Sequence, residues 1–303
     1  MAGGDPNGYP LRICYAALGV SDLLFYVGLD AGFFRQQHLK VNMILAAANV
    51  SLPALANGDL EFNDSASNAI EGASRGLPLK LLFSGWQESP WTLVGKTQYK
   101  SLPDLKGKVI GTTGAGATPY MYVQAALKQA GMAPGDVQIV SSTGTAVTYA
   151  SILSGKVEAG VLSPPFDLMA EEKGFHEVMY LGKVLRLPYV GLVVNTKFLA
   201  AHRPETVATL KALVDASGWV KAHPSEATGL LVKYTGSSPD IAKKTMDKML
   251  SLLNDSGQAT TESIQQGLDI QAAVTHTPST LTPDQVVDYG PLREALAKGS
   301  VTG

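Results

Sequence analysis

Leu55-Ala56-Asn57-Gly58-Asp59-Leu60-Glu61-Phe62 is echoed by Ile152-Leu153-Ser154-Gly155-Lys156-Val157-Glu158-Ala159. Each stretch reads as an apolar helix end, a glycine stop, a charge, an aliphatic residue, a glutamate, and a short strand of small or apolar residues. Each strand then runs into a loop of small and hydroxyl residues, Asp64-Ser65-Ala66-Ser67 in one case and Leu162-Ser163-Pro164-Pro165 in the other. The two glycines lie 97 positions apart. Solenoid repeats are about 20–50 residues long, so this spacing predicts two similar lobes instead. Two lobes with equivalent loops predict a cleft with something bound in it.

Outward from that repeat, short β-like runs alternate with longer helical ones, the pattern of an α/β fold. Strands are predicted at Leu11–Ala16, Lys40–Ala46, Leu60–Asn63, Leu79–Ser84 and Trp91–Val94. Helices are predicted around Leu52–Asn57 and Asn68–Ser74. At Lys96–Lys106 the composition turns polar and proline-bearing, and the pattern restarts with strand Lys108–Gly111, helix Pro119–Gln129, strand Val137–Val140 and helix Ala146–Leu153. Tyr189–Asn195 is a late apolar strand, after which Pro204–Ala222 and Ile241–Leu253 show helical periodicity. The restart and the late strand are read as two crossings between lobes. Residues 1–96 plus 196–303 would form a discontinuous first lobe, and residues 97–195 the second.

The bulk numbers exclude several classes. The chain has 303 residues, 45% hydrophobic and 17% charged, with a formal net charge of −2. That is a packed globular composition, not a disordered one. Lysines and arginines are scattered, so there is no basic footprint for nucleic acid. Cys14, the single cysteine, rules out an internal disulfide and reads as a small buried hydrophobe. The five histidines have no ligand spacing and are read as surface residues, so no metal site is expected. The opening Met1-Ala2-Gly3-Gly4-Asp5-Pro6 lacks the features of a signal peptide, and no apolar run approaches the ~18 residues of a membrane span.

The candidate chemistry lies in loops after strands, where ligands bind in open α/β sheets. Ser21, Asp22, Ser65, Ala66, Ser67, Ser163, Pro165 and Phe166 belong to such loops, although Asp22 reads more simply as the cap of its own helix. Gly111-Thr112-Thr113-Gly114-Ala115-Gly116-Ala117-Thr118-Pro119 lacks the third glycine of a dinucleotide loop and the lysine of a phosphate loop. What it retains is a glycine-rich approach, Gly114 and Gly116, to a helix start with Thr118 as N-cap, a place that attracts anions. Trp86 and Tyr189 flank the proposed junctions and are read as pocket walls. Gly72-Ala73-Ser74-Arg75-Gly76 has the spacing of a hydrolase nucleophile elbow, but it follows a helix rather than a strand and reads as a helix end. No nucleophile–base pair stands out, so no catalytic residue is assigned.

Four pieces in order carry a resemblance: Gly28-Leu29-Asp30-Ala31-Gly32-Phe33-Phe34, the two glycine–glutamate segments, and Ser101-Leu102-Pro103-Asp104-Leu105-Lys106-Gly107-Lys108. Together they resemble the periplasmic substrate-binding proteins of nitrate/sulfonate/taurine-type ABC importers, from about Leu11 to about His223. Glu61 and Glu158 depart from the aspartate usual in that family, and Ala117-Thr118-Pro119 departs from its more polar run. The resemblance implies a type II periplasmic-binding-protein fold, two Rossmann-like lobes joined by two crossing segments, that closes on its ligand by hinge motion. It implies a periplasmic or extracytoplasmic, monomeric, non-enzymatic protein, with an ABC permease and ATPase as partners and no cofactor, while the opening residues by themselves leave two readings, a cytoplasmic protein or a removed leader. The expected ligand is a small organic anion, a sulfonate or carboxylate. The alternatives are an enzyme related to thiamin-pyrimidine synthesis, whose cysteine-rich motif this chain lacks, and a ligand-sensing domain on the same fold.

Overall fold

The computed structural model describes residues 8–15, 19–46, 48–114, 118–275 and 280–299. Strand β1 (Tyr9–Tyr15) leads into helices α1 (Leu23–Asp30) and α2 (Phe33–Gln36), then β2 (Leu39–Leu45), α3 (Ala48–Asn57), β3 (Phe62–Ser65), α4 (Ala66–Ser74) and β4 (Leu79–Ser84). A second series follows: β5 (Thr92–Lys96), β6 (Val109–Thr113), α5 (Thr118–Gln129), β7 (Gln138–Ser142), α6 (Thr145–Leu153), β8 (Ala159–Leu162), α7 (Phe166–Glu171) and β9 (Phe175–Tyr180). The chain ends with β10 (Val190–Asn195), α8 (Thr196–Ala201), α9 (Arg203–Ala222), α10 (Pro224–Thr235), α11 (Pro239–Leu250), α12 (Thr261–Thr275), α13 (Pro283–Val286) and α14 (Gly290–Ala297).

These elements form two compact units, one of residues 1–87, 188–239 and 246–303, the other of 88–187 and 240–245. The boundaries differ from those read in the sequence. Composition shifts at Lys96, but β5 just before it hydrogen-bonds to β8 and β9 of the second unit. Likewise β10 returns to pair with β3 and β4 of the first. Each apolar strand satisfies its ladder in the sheet it enters, so the changes fall at residues 87/88 and 187/188.

Each unit holds one five-stranded mixed sheet, ordered β2-β1-β3-β10-β4 in the first and β7-β6-β8-β5-β9 in the second. Element by element these are one topology. Three parallel strands are followed by an antiparallel strand, β10 in the first sheet and β5 in the second. The match extends to register, since Ile13 pairs with Phe62 and Cys14 with Asn63, while Ile110 pairs with Ala159 and Gly111 with Gly160. All four pairs of counterparts are offset by 97 residues.

The doubled sequence motif builds this likeness. Gly58 and Gly155 take positive φ values of 86° and 72°. The following amides of Asp59 and Lys156 reach back to the carbonyls of Ala54 and Ser151, both at six-residue closures typical of a Schellman stop. Leu55 and Leu60 then enter the first core beside Cys14, and their counterparts Ile152 and Val157 enter the second beside Val94. Burying such a side chain stabilises by about 1.5–3 kcal/mol, so these positions anchor each α–β unit. The glutamates complete the motif. Glu61 Oε2 accepts the backbone N–H of Arg12 at 2.7 Å, and Glu158 Oε2 accepts that of Val109 at 3.1 Å. Both bonds span 49 residues, and they satisfy the amide of Arg12 within β1 and that of Val109 at the start of β6. In the first unit the Arg12 guanidinium adds an ion pair to Glu61 at 2.6 Å.

Cys14 is a fully buried core residue. Helix α4 ends as read from its glycines: Gly76 has φ 72° and the Leu77 amide closes onto the Gly72 carbonyl at 2.8 Å. One histidine departs from expectation. His176 in β9 is half-buried with both ring nitrogens shielded from solvent.

Candidate functional site

In the first unit, β1 and β3 run parallel, so their carboxyl ends place the turn at Ser21–Asp22 and the turn at Asp64–Ser67 on the same edge of the sheet. Ser21, Ser65 and Ser67 are each partly open to solvent. The Ser65 and Ser67 hydroxyls share a hydrogen bond of 2.9 Å over the first turn of α4. Beneath them, Asn63 Oδ1 accepts from the Ser65 amide at 2.8 Å and from Asn68 Nδ2 at 3.0 Å. Asn63 and Asn68 are buried, so this pair holds the turn in shape without itself facing solvent. Ala66 is fully buried, and its amide donates to the Tyr189 carbonyl, which links β10 to the same turn.

Asp22 does not cap helix α1. Its side chain makes no capping bond, is fully buried, and accepts the Ser21 hydroxyl at 2.7 Å. The buried carboxyls of Asp22 and Asp64 act on each other electrostatically, and Oδ1 of each lacks a hydrogen-bond partner among the described residues. Burial pushes the Asp22 carboxyl up to about 6, and burial together with the Asp22 charge holds Asp64 well above the usual carboxylate range. Trp86 is not an open wall. It is 1% exposed, and its indole N–H donates to the Ser21 carbonyl at 3.0 Å. It therefore supports the Ser21 turn from inside. Tyr189 is partly exposed beside β10.

In the second unit, β6 and β8 carry the corresponding turns. Gly114 closes the end of β6 with φ 58°, its amide donating to the Ser142 carbonyl at 2.9 Å. Gly116 lies outside the described residues. Thr118 is the first residue of α5 rather than its N-cap, and it is partly open to solvent. Under this end the Ser142 and Thr148 hydroxyls are 2.7 Å apart, and Thr148 also donates to the Thr112 carbonyl. After β8, Pro164 and Pro165 are joined by a cis peptide bond. Ser163 is 8% exposed, and its carbonyl accepts the Phe166 amide at 2.9 Å, so the serine starts α7 more than it faces solvent. Phe166 stays half-buried against Tyr149 at 5.7 Å between ring centres.

The structure thus brings Ser21 and Asp22 together with Ser65, Ala66, Ser67 and Trp86 in one unit, and Gly114 with Thr118, Ser163, Pro165 and Phe166 at strand ends of the other. Sequence reasoning missed the parts beneath the surface: Asn63, Asn68, Thr112 and the interaction between the two aspartates. Asn63 and Asp64 stand in the strand that precedes the serine loop, and polar residues in so short a strand were the available signal. A shallow groove lined by Arg12, Lys40, Asn42 and Glu61 sits at the opposite, amino-terminal end of β1 and β2, where Arg12 is already committed to Glu61.

Comparison with known proteins extends this picture. The family described as NMT1/THI5 like matches residues 22–227. A Haemophilus influenzae protein whose name assigns it to thiamine biosynthesis is 28% identical over 217 residues, covering 69% of this chain and 68% of that protein. The riboflavin-binding protein RibY of Chloroflexus aurantiacus is 25% identical over 224 residues, covering 69% of this chain. The match spans 62% of RibY, just under two thirds of its length. The periplasmic aliphatic sulphonate binding protein SsuA from Escherichia coli superposes with a TM-score of 0.76 at 17% identity, covering 92% of this chain and 97% of that one. At such identity the likeness speaks to the fold alone, and the fold is the periplasmic-binding-protein fold. No helix among the described residues is long and apolar enough to cross a membrane.

Proposed function

We propose, for a chain that belongs to the NMT1/THI5-like family, that it is a solute-binding protein which captures one small organic anion outside the cytoplasm and delivers it to an ABC importer. The observation that carries this reading is the pair of equivalent strand-end turns, Ser21 with Ser65 and Ser67 in one unit and Thr118 in the other. Each is the place where an open α/β sheet presents ligand-binding groups.

The strand ends of the two units differ in charge. The first unit carries the aspartate pair, which repels an anionic group. The second offers the start of α5, a twelve-residue helix with no acid in its first turn. Its free amides and dipole favour a negative group. In the second unit the start of α5 at Thr118 is therefore assigned to an anionic group, and in the first unit the hydroxyls of Ser21, Ser65 and Ser67 to an uncharged polar one.

The thiamine-biosynthesis name of one relative keeps an enzyme reading in view. Against it, Cys14 is buried in β1, where it cannot serve as an accessible nucleophile. A thermal-shift screen of alkanesulfonates, short carboxylates, riboflavin and aminopyrimidines tests the assignment, since a bound solute raises the melting temperature by mass action. The expected hit is an anion that is recovered unchanged. A screen in which the hit is chemically converted, or in which only cations shift the transition, overturns it.

A further inference from the structure

The second unit shows what this fold requires at the end of its third parallel strand, and it requires no acid. By the 97-residue offset that carries the strand register, Asp64 in β3 corresponds to Val161 in β8, which is buried. The same strand position is therefore built with an apolar side chain in one unit and with a carboxyl in the other. Hiding two acids from water costs several kcal/mol unless something satisfies them.

Asp22 and Asp64 are 0% and 4% exposed and act on each other electrostatically. Oδ1 of each has no hydrogen-bond partner among the described residues. Facing the pair are the Ser21 hydroxyl, Cys14 and Tyr15 from β1, and Tyr26 from α1. None of these is a cation. Ionised carboxylates only accept hydrogen bonds, so two that meet in a buried site satisfy each other only with a proton between them. Two like charges in contact in a dry site do not both ionise.

We propose that Asp22 and Asp64 share one proton near neutral pH and form a pH-dependent lock between the turns that carry Ser21 and Ser65. Its bearing on solute capture rests on the functional reading above, but the lock itself does not. Loss of the shared proton leaves two buried carboxylates face to face with no cation between them, and the turns part. The neighbours do not blur this transition. Burial and the aspartates hold Cys14, Tyr15 and Tyr26 above their ordinary values, so they titrate above the step at Asp22. The sign of the linkage follows from raised folded-state values. The pair's contribution is complete below the ordinary carboxyl value of 3.8 and is lost as pH rises through about 6 and beyond.

Trp86 is a built-in reporter, because its buried indole N–H is bonded to the Ser21 carbonyl. In a 1H–15N spectrum of the ligand-free protein, the indole peak that disappears in W86F is followed from pH 5 to pH 9, alongside the melting temperature. In the wild type the peak moves in a step at or above pH 6 while the melting temperature falls. In D22N/D64N both responses vanish, since an amide pair keeps one hydrogen bond without titrating. Should that variant not fold, D22N alone lowers the midpoint by a pH unit or more. A wild-type peak and melting temperature that stay flat, or a step that survives unchanged in the variants, overturns the lock. No solute is present, so the outcome is independent of the solute-binding reading.

Discussion

At the ends of their parallel strands the two units place opposite chemistry on one frame. Asp64 is buried beside the charge of Asp22 in the first unit, whereas Val161, at the same register position in the second, is fully buried. Everything that makes the frame is shared: the Schellman stop after α3 and α6, the paired Leu55/Ile152 and Leu60/Val157, and the glutamate that caps an amide 49 residues back. The lesson is that the repeat encodes architecture, and a motif found twice marks what the fold needs twice. The candidate site residues lie just downstream, where the copies stop agreeing.

The antiparallel strands test how far the equivalence goes. A Cβ on Gly191 in β10 would lie 1.9 Å from the Phe83 carbonyl oxygen, whereas one on Gly95 in β5 would meet Val178 Cγ2 at 3.1 Å. Backbone cannot yield as a methyl can. Gly191→Ala is expected to cost more than about 4 kcal/mol or to prevent folding, and Gly95→Ala about 1–2 kcal/mol. Urea denaturation of the two variants measures this, and equal losses would show that the strands are interchangeable after all. The cores come next in size. Leu55→Ala and Ile152→Ala are each expected to cost about 2–5 kcal/mol, because both side chains are fully buried at matching sites. A small loss at one of them would break the structural equivalence of the units.

The glutamates give the smallest effect and the sharpest contrast. Glu61→Ala and Glu158→Ala are each expected to cost about 1–2 kcal/mol through the orphaned amide of the neighbouring strand. Arg12→Ala should cost under about 1 kcal/mol, because the guanidinium is 47% exposed and a surface ion pair contributes little. If Arg12→Ala matched Glu61→Ala, the ion pair rather than the amide cap would be what Glu61 is for.

Most of the frame was legible because it rests on local rules. Gly58, Gly76 and Gly155 stop helices wherever the next residues allow, and the α/β alternation follows from apolar runs of strand and helix length. The crossings were misplaced because strand partners are a tertiary choice. Thr92–Lys96 and Val190–Asn195 carry no local mark saying which sheet they enter, while the polar stretch at Lys96–Lys106 is only a surface segment. Strand β9 escaped notice because Phe175-His176-Glu177-Val178 lacks a clean alternation. Among the candidate site residues, the placement of Ser21, Ser65 and Thr118 at strand ends was readable from the alternation. Asp22 was not, because its meaning depends on Asp64, 42 residues on, and a capping reading satisfied the local pattern. Trp86 was misjudged for the same reason, since its partner is a backbone carbonyl 65 positions away.

Isothermal titration of the best anionic hit into wild type, Ser65→Trp and Thr118→Trp tests the central claim most directly. The account predicts an affinity loss of about a hundredfold, some 2.8 kcal/mol, in at least one of the two variants. Wild-type affinity in both would contradict it.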